Sequence, residues 1–223
     1  MRGTSISNIE FWIDLLNKME QEAKKRNAPV YTLDDNLTPF QHLVTAILST
    51  RTRDEQTAKA AKRLFKVAKT PHDIVKLSVE QIDELIRVVG FHRVKARKIK
   101  ELAEILIKKY NSQVPSDFNE LIKLPGVGRK VANIVLARAF NIPAIAVDTH
   151  VHRISNRMGI VSTKSPEETE KVLMKIVPRE LWSKINKPFV GFGQTVCKPL
   201  KPLCSECPFK DCPKIGVEHP KDL

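Results

Sequence analysis

The stretch LPGVGRK, residues 124–130, lies between two segments of helical pattern and decides how they meet. Pro125 ends the first helix because its ring cannot continue the hydrogen-bond ladder. Gly126 and Gly128 permit the positive φ angles of a tight hairpin. The second helix begins at Arg129 and presents its free N–H groups and the positive end of its dipole. This pattern favours binding of a nucleic-acid phosphate, without sequence reading, over a plain helical hairpin.

Helical periodicity extends from this hairpin toward both ends of the chain, whereas β-like alternation is scarce. The first helix carries apolar residues at helical spacing: Ile9, Trp12, Ile13 and Leu16. Capping boxes that start at Thr52 and at Ser78 mark two helix starts. We predict helices over residues 8–26, 39–50, 54–68, 79–89, 95–110, 117–124, 129–140 and 149–158, and a further helix from Ser165. The expected fold class is all-α, with nine or ten short helices.

The segment from residue 186 to residue 214 is rich in proline and contains all four cysteines of the chain. We expect it to be loop-like and to order only around a ligand. Its cysteines have the spacing C-x6-C-x2-C-x4-C and are Cys197, Cys204, Cys207 and Cys212. Two disulfides are one interpretation, but they are rare in a chain without a secretion signal. Clustered thiols there more often hold a metal, and this spacing leaves both an iron–sulfur cluster and zinc open.

Basic residues outnumber acidic ones, 38 Lys and Arg against 25 Asp and Glu, which gives a formal net charge of +13. Such an excess favours a polyanionic partner such as nucleic acid, with a generally basic surface as the alternative. The sequence contains no apolar run of about 18 residues, so we expect no membrane span and a cytoplasmic location.

Two residues could carry covalent chemistry, Lys130 and Asp148. Lys130 stands at a helix N-terminus beside Arg129. The positive end of the helix dipole and the charge of Arg129 are both expected to lower the pKa of its amine and to favour a neutral nucleophile. The alternative is a solvated lysine that contacts phosphate, and the residues alone favour that alternative. Lys95 and Lys123 are the next candidates, although neither combines a helix N-terminus with a glycine hairpin.

Asp148 follows an apolar segment and precedes a helix, which predicts a helix N-cap, a carboxylate at the edge of a cleft, or both. His150 and His152 lie two residues apart and, together with Asp148, could suggest a metal site. Because no third partner stands at ligand spacing, packing or phosphate contact is the preferred interpretation of both histidines.

In combination, these motifs resemble the endonuclease III family of DNA repair glycosylases. The resemblance rests on LPGVGRK, on VDTH at residues 147–150 and on the cysteine spacing, in that order along the chain. It also includes TPFQHLVTAILSTRTRD, residues 38–54, and VVGFHRVKARKIKE, residues 88–101. The likeness therefore extends over nearly the whole chain.

The resemblance implies a two-domain helix-hairpin-helix DNA glycosylase fold. A six-helix barrel domain would comprise residues 32–142. An iron–sulfur cluster domain would comprise residues 1–31 and 143–223, with the four cysteines as ligands of a [4Fe–4S] cluster. The DNA groove would run between the two domains.

By the same resemblance, the chain is expected to be a bifunctional glycosylase and DNA-(apurinic or apyrimidinic site) lyase of base excision repair. Lys130 would be the nucleophile and Asp148 its activator. The enzyme would remove oxidised pyrimidines from double-stranded DNA and cleave abasic sites by β-elimination through a Schiff base. We expect a monomer that acts at the nucleoid of a prokaryote. The expected DNA contacts are Gly126, Val127, Gly128, Arg129, Arg51, Phe91, His92, His150, Lys198 and Lys201.

The sequence departs from the family pattern at three places. Four residues rather than five separate the last two cysteines, a difference that a loop absorbs. Arg51 stands where relatives often carry glutamine, a residue that helps to fill the gap left by an extruded nucleotide. Phe91 and His92 replace an aliphatic–aromatic pair at the neighbouring wedge, where an aromatic ring should stack in an opened base step.

Two alternatives to a lyase remain. A mismatch-specific or base-specific glycosylase without lyase action shares the fold, but such relatives typically lack a lysine at the position of Lys130. A non-catalytic DNA-binding module with a zinc-stabilised tail would explain the charge, the hairpin and the cysteines. It would leave the pair Lys130 and Asp148 unexplained.

Overall fold

The computed structural model describes residues 8–33 and 36–218, and the regular structure of these residues is entirely helical, which confirms the all-α prediction. Eleven α-helices are described, rather than nine or ten: α1 (Ile9–Lys25), α2 (Pro39–Leu48), α3 (Asp54–Val67), α4 (Pro71–Lys76), α5 (Val79–Leu85), α6 (His92–Tyr110), α7 (Phe118–Leu121), α8 (Arg129–Ala139), α9 (Thr149–Arg157), α10 (Pro166–Ile176) and α11 (Asn186–Thr195). Two 3-10 helices span Pro29–Thr32 and Arg179–Lys184. None of the described helices combines the length and the hydrophobicity that crossing a bilayer requires.

The chain divides into two compact units. One unit comprises the described residues up to Tyr31 together with those from Pro143 onward, and the other runs from Thr32 to Ile142. We call them the split unit and the central unit. Their identities as a cluster domain and a barrel domain stay predictions.

The central unit is built around α2, which packs against α3, α6 and α8. Thr38 starts α2 with a reciprocal capping box in which its hydroxyl accepts from Gln41 N while the Gln41 side chain accepts from Thr38 N. In α8 every residue from Val131 to Ala137 is buried, as its apolar pattern predicts. Because these seven residues of α8 are buried, its more exposed first turn is held in a fixed position.

The core of the split unit forms where α1 packs against α11. The buried face of α1 consists of Trp12, Leu15, Leu16, Met19 and Ala23. Ile9 and Ile13, which are also at helical spacing, lie outside this face and are 37% and 43% exposed. The buried positions follow the spacing i, i+3, i+4, i+7 from Trp12.

The prediction of a loop from residue 186 is wrong for its first ten residues, which form α11. Pro188 lies in the first turn, where the missing N–H is tolerated. Gly191 is required by close packing, because a Cβ there would lie 2.8 Å from the Cβ of Ala23. A residue type that usually interrupts helices therefore permits this helix to approach α1.

The predicted capping box at Thr52 is also wrong. The N-cap of α3 is Arg53, and within the described residues no side chain caps this helix. The Thr52 hydroxyl instead accepts hydrogen bonds from Gly90 N at 3.1 Å and from Lys95 Nζ at 2.9 Å. The box at Ser78 is present as predicted, but α5 ends at Leu85 rather than at Gly90.

Candidate functional site

The hairpin between α7 and α8 has the predicted form, with one correction. Gly126 adopts φ +82°, whereas Gly128 has φ −100° and ψ 179° and serves as the N-cap of α8. Only Gly126 therefore needs glycine for its backbone. A Cβ at Gly128 would meet no described atom of the protein within 4 Å. The small size of Gly128 thus leaves open space at the first N–H groups of α8.

The remaining hairpin residues differ in what they can offer a ligand. Val127 is buried, and its N–H already donates to Leu124 O at 3.1 Å. Its side chain and its N–H are therefore both occupied within the protein. Arg129 is exposed, and its guanidinium carbon lies 4.8 Å from the centroid of the Phe118 ring. This cation–π contact keeps a positive charge beside the open end of α8.

Lys130 is half-buried in the first turn of α8. Its Nζ donates a hydrogen bond of 3.3 Å to Ser49 Oγ, which in turn donates to Ala46 O at 2.9 Å. A second amine, that of Lys95 on α6, lies within electrostatic reach of Lys130. Burial is the main cause that lowers the pKa of Lys95 to about 8, and the positive charge of Lys130 is the second cause. The site therefore holds two neighbouring amines, and Lys95 holds its proton less tightly than an ordinary lysine does.

The two other lysines considered as nucleophiles have different surroundings. Lys123 is exposed, and its Nζ forms an ion pair of 2.6 Å with Glu120 that raises its pKa. Lys95 is 5% exposed and fully engaged with backbone and hydroxyl oxygens. Neither has the half-open environment of Lys130.

Asp148 caps α9 in the split unit. Its Oδ1 accepts hydrogen bonds of 2.9 Å from both His150 N and Val151 N, and the residues before it, Ala144–Val147, are buried. The predicted capping role is thus present. Anchoring by its own helix holds the carboxylate in one orientation.

His150 and His152 have separate neighbours. His150 Nδ1 accepts from Arg153 Nη2 at 3.2 Å, since a guanidinium can only donate. His152 Nδ1 lies 2.7 Å from Thr169 Oγ1. In the part of the chain that is described, no three His, Cys, Asp or Glu side chains stand close enough together to hold a single metal ion.

Arg51 and Phe91, both expected DNA contacts, form an exposed pair in the central unit. Both adopt left-handed backbone conformations, with φ 49° and 56°, which cost non-glycine residues roughly 1–2 kcal/mol each. The Arg51 guanidinium lies 5.6 Å from the Phe91 ring centroid, and Phe91 is 60% exposed. His92, in contrast, is engaged with Asp83 at 2.5 Å. Strained, exposed residues of this kind cluster at functional sites.

All four cysteine side chains are half-buried, none is in a disulfide, and they line one cavity in the split unit. The rest of its wall consists of Arg157 and Lys214 together with apolar residues: Met158, Phe192, Val196, Pro202, Leu203, Phe209 and Val217. Burial raises the pKa of Cys207 to about 11 and also raises that of Cys212. The thiols of Cys207 and Cys212 are therefore protonated at neutral pH.

The segment between the first two cysteines is tied to α9. Arg157 donates to Lys198 O at 2.7 Å, to Pro199 O at 2.6 Å and to Cys197 Sγ at 3.6 Å. The side chains of Lys198 and Lys201 remain exposed. The backbone of this loop is thus fixed while its two cations face solvent.

Comparison with known proteins finds one matching family model, described as "HhH-GPD superfamily base excision DNA repair protein", over residues 44–179, which is more than half of the chain. Among curated proteins, the chain is 53% identical over 173 residues to Endonuclease III of Thermotoga maritima, an alignment that covers 78% of this chain and 81% of the relative.

Solved structures are similar over most of the chain as well. A structure described as a non-covalent Endonuclease III-DNA complex matches with a TM-score of 0.81 and 40% identity, covering 92% of this chain and 94% of the other. A trapped Endonuclease III-DNA covalent intermediate, an estranged-adenine complex, matches with a TM-score of 0.78 and 41% identity, covering 89% and 93%.

Proposed function

The chain belongs to the endonuclease III family within the HhH-GPD superfamily of base excision DNA repair proteins, and we propose that it is a bifunctional DNA glycosylase and abasic-site lyase. Its substrate is double-stranded DNA that contains damaged bases, in particular oxidised pyrimidines, or abasic sites. We further propose that it acts as a monomer on the nucleoid of a prokaryotic cell.

The observation that carries this proposal is the environment of Lys130. A half-buried amine at the first turn of the hairpin helix, bonded to Ser49 and next to a second buried amine, is suited to lose its proton and attack carbon. The damaged nucleotide must first leave the base stack.

The chemistry then proceeds in two stages. The lone pair of neutral Lys130 Nζ forms a bond to the sugar C1′, and the base leaves with the electrons of the glycosidic bond and takes up a proton. The C1′–O4′ bond of the sugar ring then breaks, O4′ takes up a proton from the attached amine, and a Schiff base forms between Nζ and C1′. The Schiff base acidifies the C2′ proton, and loss of that proton expels the 3′ phosphate by β-elimination. The step requires a base for the proton and no water nucleophile.

Asp148 is proposed to accept the lysine proton or orient the amine and to stabilise positive charge on the sugar. Asp148→Asn should slow single-turnover cleavage of abasic DNA about 100-fold, because a positioned base contributes about 10²–10⁴-fold. Asparagine caps helices as well as aspartate does, so the free energy of unfolding should fall by no more than about 1 kcal/mol.

Asp117→Asn is the matched control, since Asp117 caps α7 by accepting from Glu120 N at 3.0 Å. It should cost similar stability and leave the cleavage rate unchanged. Wild-type turnover by Asp148→Asn protein would remove Asp148 from the mechanism.

The open space at Gly128 supports binding of a DNA phosphate at the N-terminus of α8. Gly128→Ser should weaken binding to duplex DNA about tenfold, because the new side chain occupies the phosphate position and a charge-assisted hydrogen bond contributes about 1.5–3 kcal/mol. Stability should not fall, since serine caps a helix at least as well as glycine. Fluorescence anisotropy at several salt concentrations and urea unfolding measure the two effects.

Gly126→Ala should lower the free energy of unfolding, in contrast to Gly128→Ser. The reason is that alanine at φ +82° costs about 1–2 kcal/mol. Each phosphate contact that is lost should also flatten the slope of log K against log[salt] by roughly 0.9. An unchanged affinity and salt slope in the Gly128→Ser protein would contradict the phosphate site.

The pair Arg51 and Phe91 is proposed to enter the space left by the extruded nucleotide. Phe91 offers an exposed ring for stacking in an opened base step. Arg51 offers planar donors to the base opposite. The engagement of His92 with Asp83 leaves Phe91 as the principal wedge.

The four cysteines are proposed to hold a [4Fe–4S] cluster, which when bound supplies structural order rather than chemistry at the sugar. Four thiols in a largely apolar cavity, with two cations in its wall, suit such a cluster, because thiolate ligands carry negative charge. Each thiolate of a cubane binds a different iron atom, so the tight ligand group that zinc requires is not needed. Loading must release protons, because the buried thiols are neutral beforehand.

A panel of duplexes treated with borohydride tests the proposed function. Wild-type protein should cut strands that contain an oxidised pyrimidine or an abasic site and should form a covalent adduct on reduction, with no adduct on undamaged DNA. Base release without strand cleavage would favour a glycosylase lacking lyase action. A protein that binds duplex DNA but acts on no member of the panel would favour the non-catalytic module.

A further inference from the structure

Lys95 is a buried lysine on α6 whose three ammonium N–H bonds are all used. Its Nζ donates to three uncharged acceptors: Leu48 O at 2.8 Å, Thr50 O at 2.7 Å and Thr52 Oγ1 at 2.9 Å. Removing an ammonium ion from water is costly unless such acceptors replace the lost hydration. The three acceptors therefore offset part of the cost of burying the charge of Lys95.

The segment of residues 48–52, which receives these hydrogen bonds, also carries Ser49. It begins at the last residue of α2, where the negative end of the helix dipole favours a cation. Ser49 lies between the two carbonyl groups that Lys95 binds, and its Oγ accepts from Lys130 Nζ at 3.3 Å. The two lysines thus contact one short segment.

The charges of the two lysines act on each other. Burial comes first and the charge of Lys130 second among the causes that lower the pKa of Lys95. Coulomb repulsion is mutual, so a protonated Lys95 opposes protonation of Lys130. The stem of Lys98 on α6 lies against the Gly126 position, and Arg129 follows on α8, so these neighbours are cationic as well.

The carboxylate near the start of α6, that of Asp83, already has a partner. Asp83 on α5 is paired with His92, the first residue of α6, at 2.5 Å. The stabilisation of Lys95 therefore comes from the dipoles of segment 48–52, and its charge is available to act on Lys130.

We propose that Lys95 is a positioning residue for the lyase reaction: it fixes segment 48–52 so that Ser49 orients Lys130, and its charge favours the neutral, nucleophilic amine of Lys130. This inference rests on the proposed function and adds to it the source of the lysine's activation. Lys95 acts through Lys130 and forms no bond to the DNA.

The test is the pH dependence of single-turnover cleavage of an abasic duplex by Lys95→Gln protein. Glutamine retains N–H donors for the carbonyl groups but carries no charge. Without the repulsion, Lys130 should keep its proton to higher pH, so the midpoint of the acidic limb should rise by about one pH unit. The rate at low pH should then fall about tenfold, with the alkaline plateau within about threefold of wild type.

Lys100→Gln is the matched control. Lys100 lies on the same helix and donates to Val75 O at 2.6 Å and Leu77 O at 2.7 Å, so it binds carbonyl groups at the end of α4 as Lys95 does at the end of α2. In Lys100→Gln protein, the midpoint of the acidic limb of the cleavage rate should equal that of wild-type protein. A purely structural role for Lys95 would lower the rate equally at every pH, and an unchanged midpoint in Lys95→Gln would overturn the proposal.

Two further measurements separate a failure of this proposal from a failure of the proposed function. If wild-type protein gives no borohydride adduct, the proposed function fails, whatever Lys95 does. If Lys95→Gln does not fold, an NMR titration of the wild-type lysine side chains, assigned with the Lys130→Gln protein, decides. Lys130 should release its proton at lower pH than the exposed Lys123, and equal midpoints for the two lysines would overturn the proposal.

Discussion

Lys130→Gln should reduce cleavage of abasic DNA by at least about 10⁴-fold and abolish the borohydride adduct, while binding to the same duplex weakens only about threefold. The reason is that the proposed nucleophile is lost, whereas one cation is removed from a chain with a net charge of +13. Ser49 retains its bond to Ala46 O, so the surrounding structure should not change. Single-turnover gels and fluorescence anisotropy measure the two effects.

Lys123→Gln is the control for loss of a lysine near the hairpin. Lys123 is exposed and paired with Glu120, so its replacement should leave cleavage and trapping at wild-type levels. Peptide mapping of the wild-type adduct should place the modification on Lys130. An adduct that persists unchanged in Lys130→Gln protein would mean that another amine is the nucleophile.

The features that could be predicted from the sequence are those set by neighbours in the chain. The helix starts at Ser78, Asp148 and Ser165 depend on a side chain that bonds a backbone N–H two or three residues later, and all three are present. The turn at Gly126 and the buried α8 follow from residue type and periodicity in the same way. These local rules are sufficient for the hairpin that carries Lys130.

The features that could not be predicted depend on partners far along the chain. α11 is helical despite its glycines because Gly191 packs against Ala23, 168 positions earlier. Thr52 does not cap α3; its hydroxyl instead accepts hydrogen bonds from Gly90 N and Lys95 Nζ, about 40 residues away. The same distance separates Lys95 from the carbonyl groups that hold it, so no short pattern marks Lys95 as more than one lysine in a basic helix.

Cys207→Ser should lose iron from the purified protein and make the chain after Cys197 sensitive to protease, because a serine hydroxyl does not replace a thiolate ligand. Within the described residues this segment forms no helix, and outside the cavity it is held by contacts such as the Arg26–Glu206 ion pair of 2.7 Å. Leu200→Ala, at a side chain 86% exposed in the same segment, should keep both iron and protease resistance. Iron analysis, the visible absorption of the cluster and limited proteolysis measure the outcome. Full iron and a resistant C-terminal segment in Cys207→Ser protein would show that the four-thiolate assignment is wrong, and stoichiometric zinc in a colourless wild-type protein would replace the cluster with a zinc site.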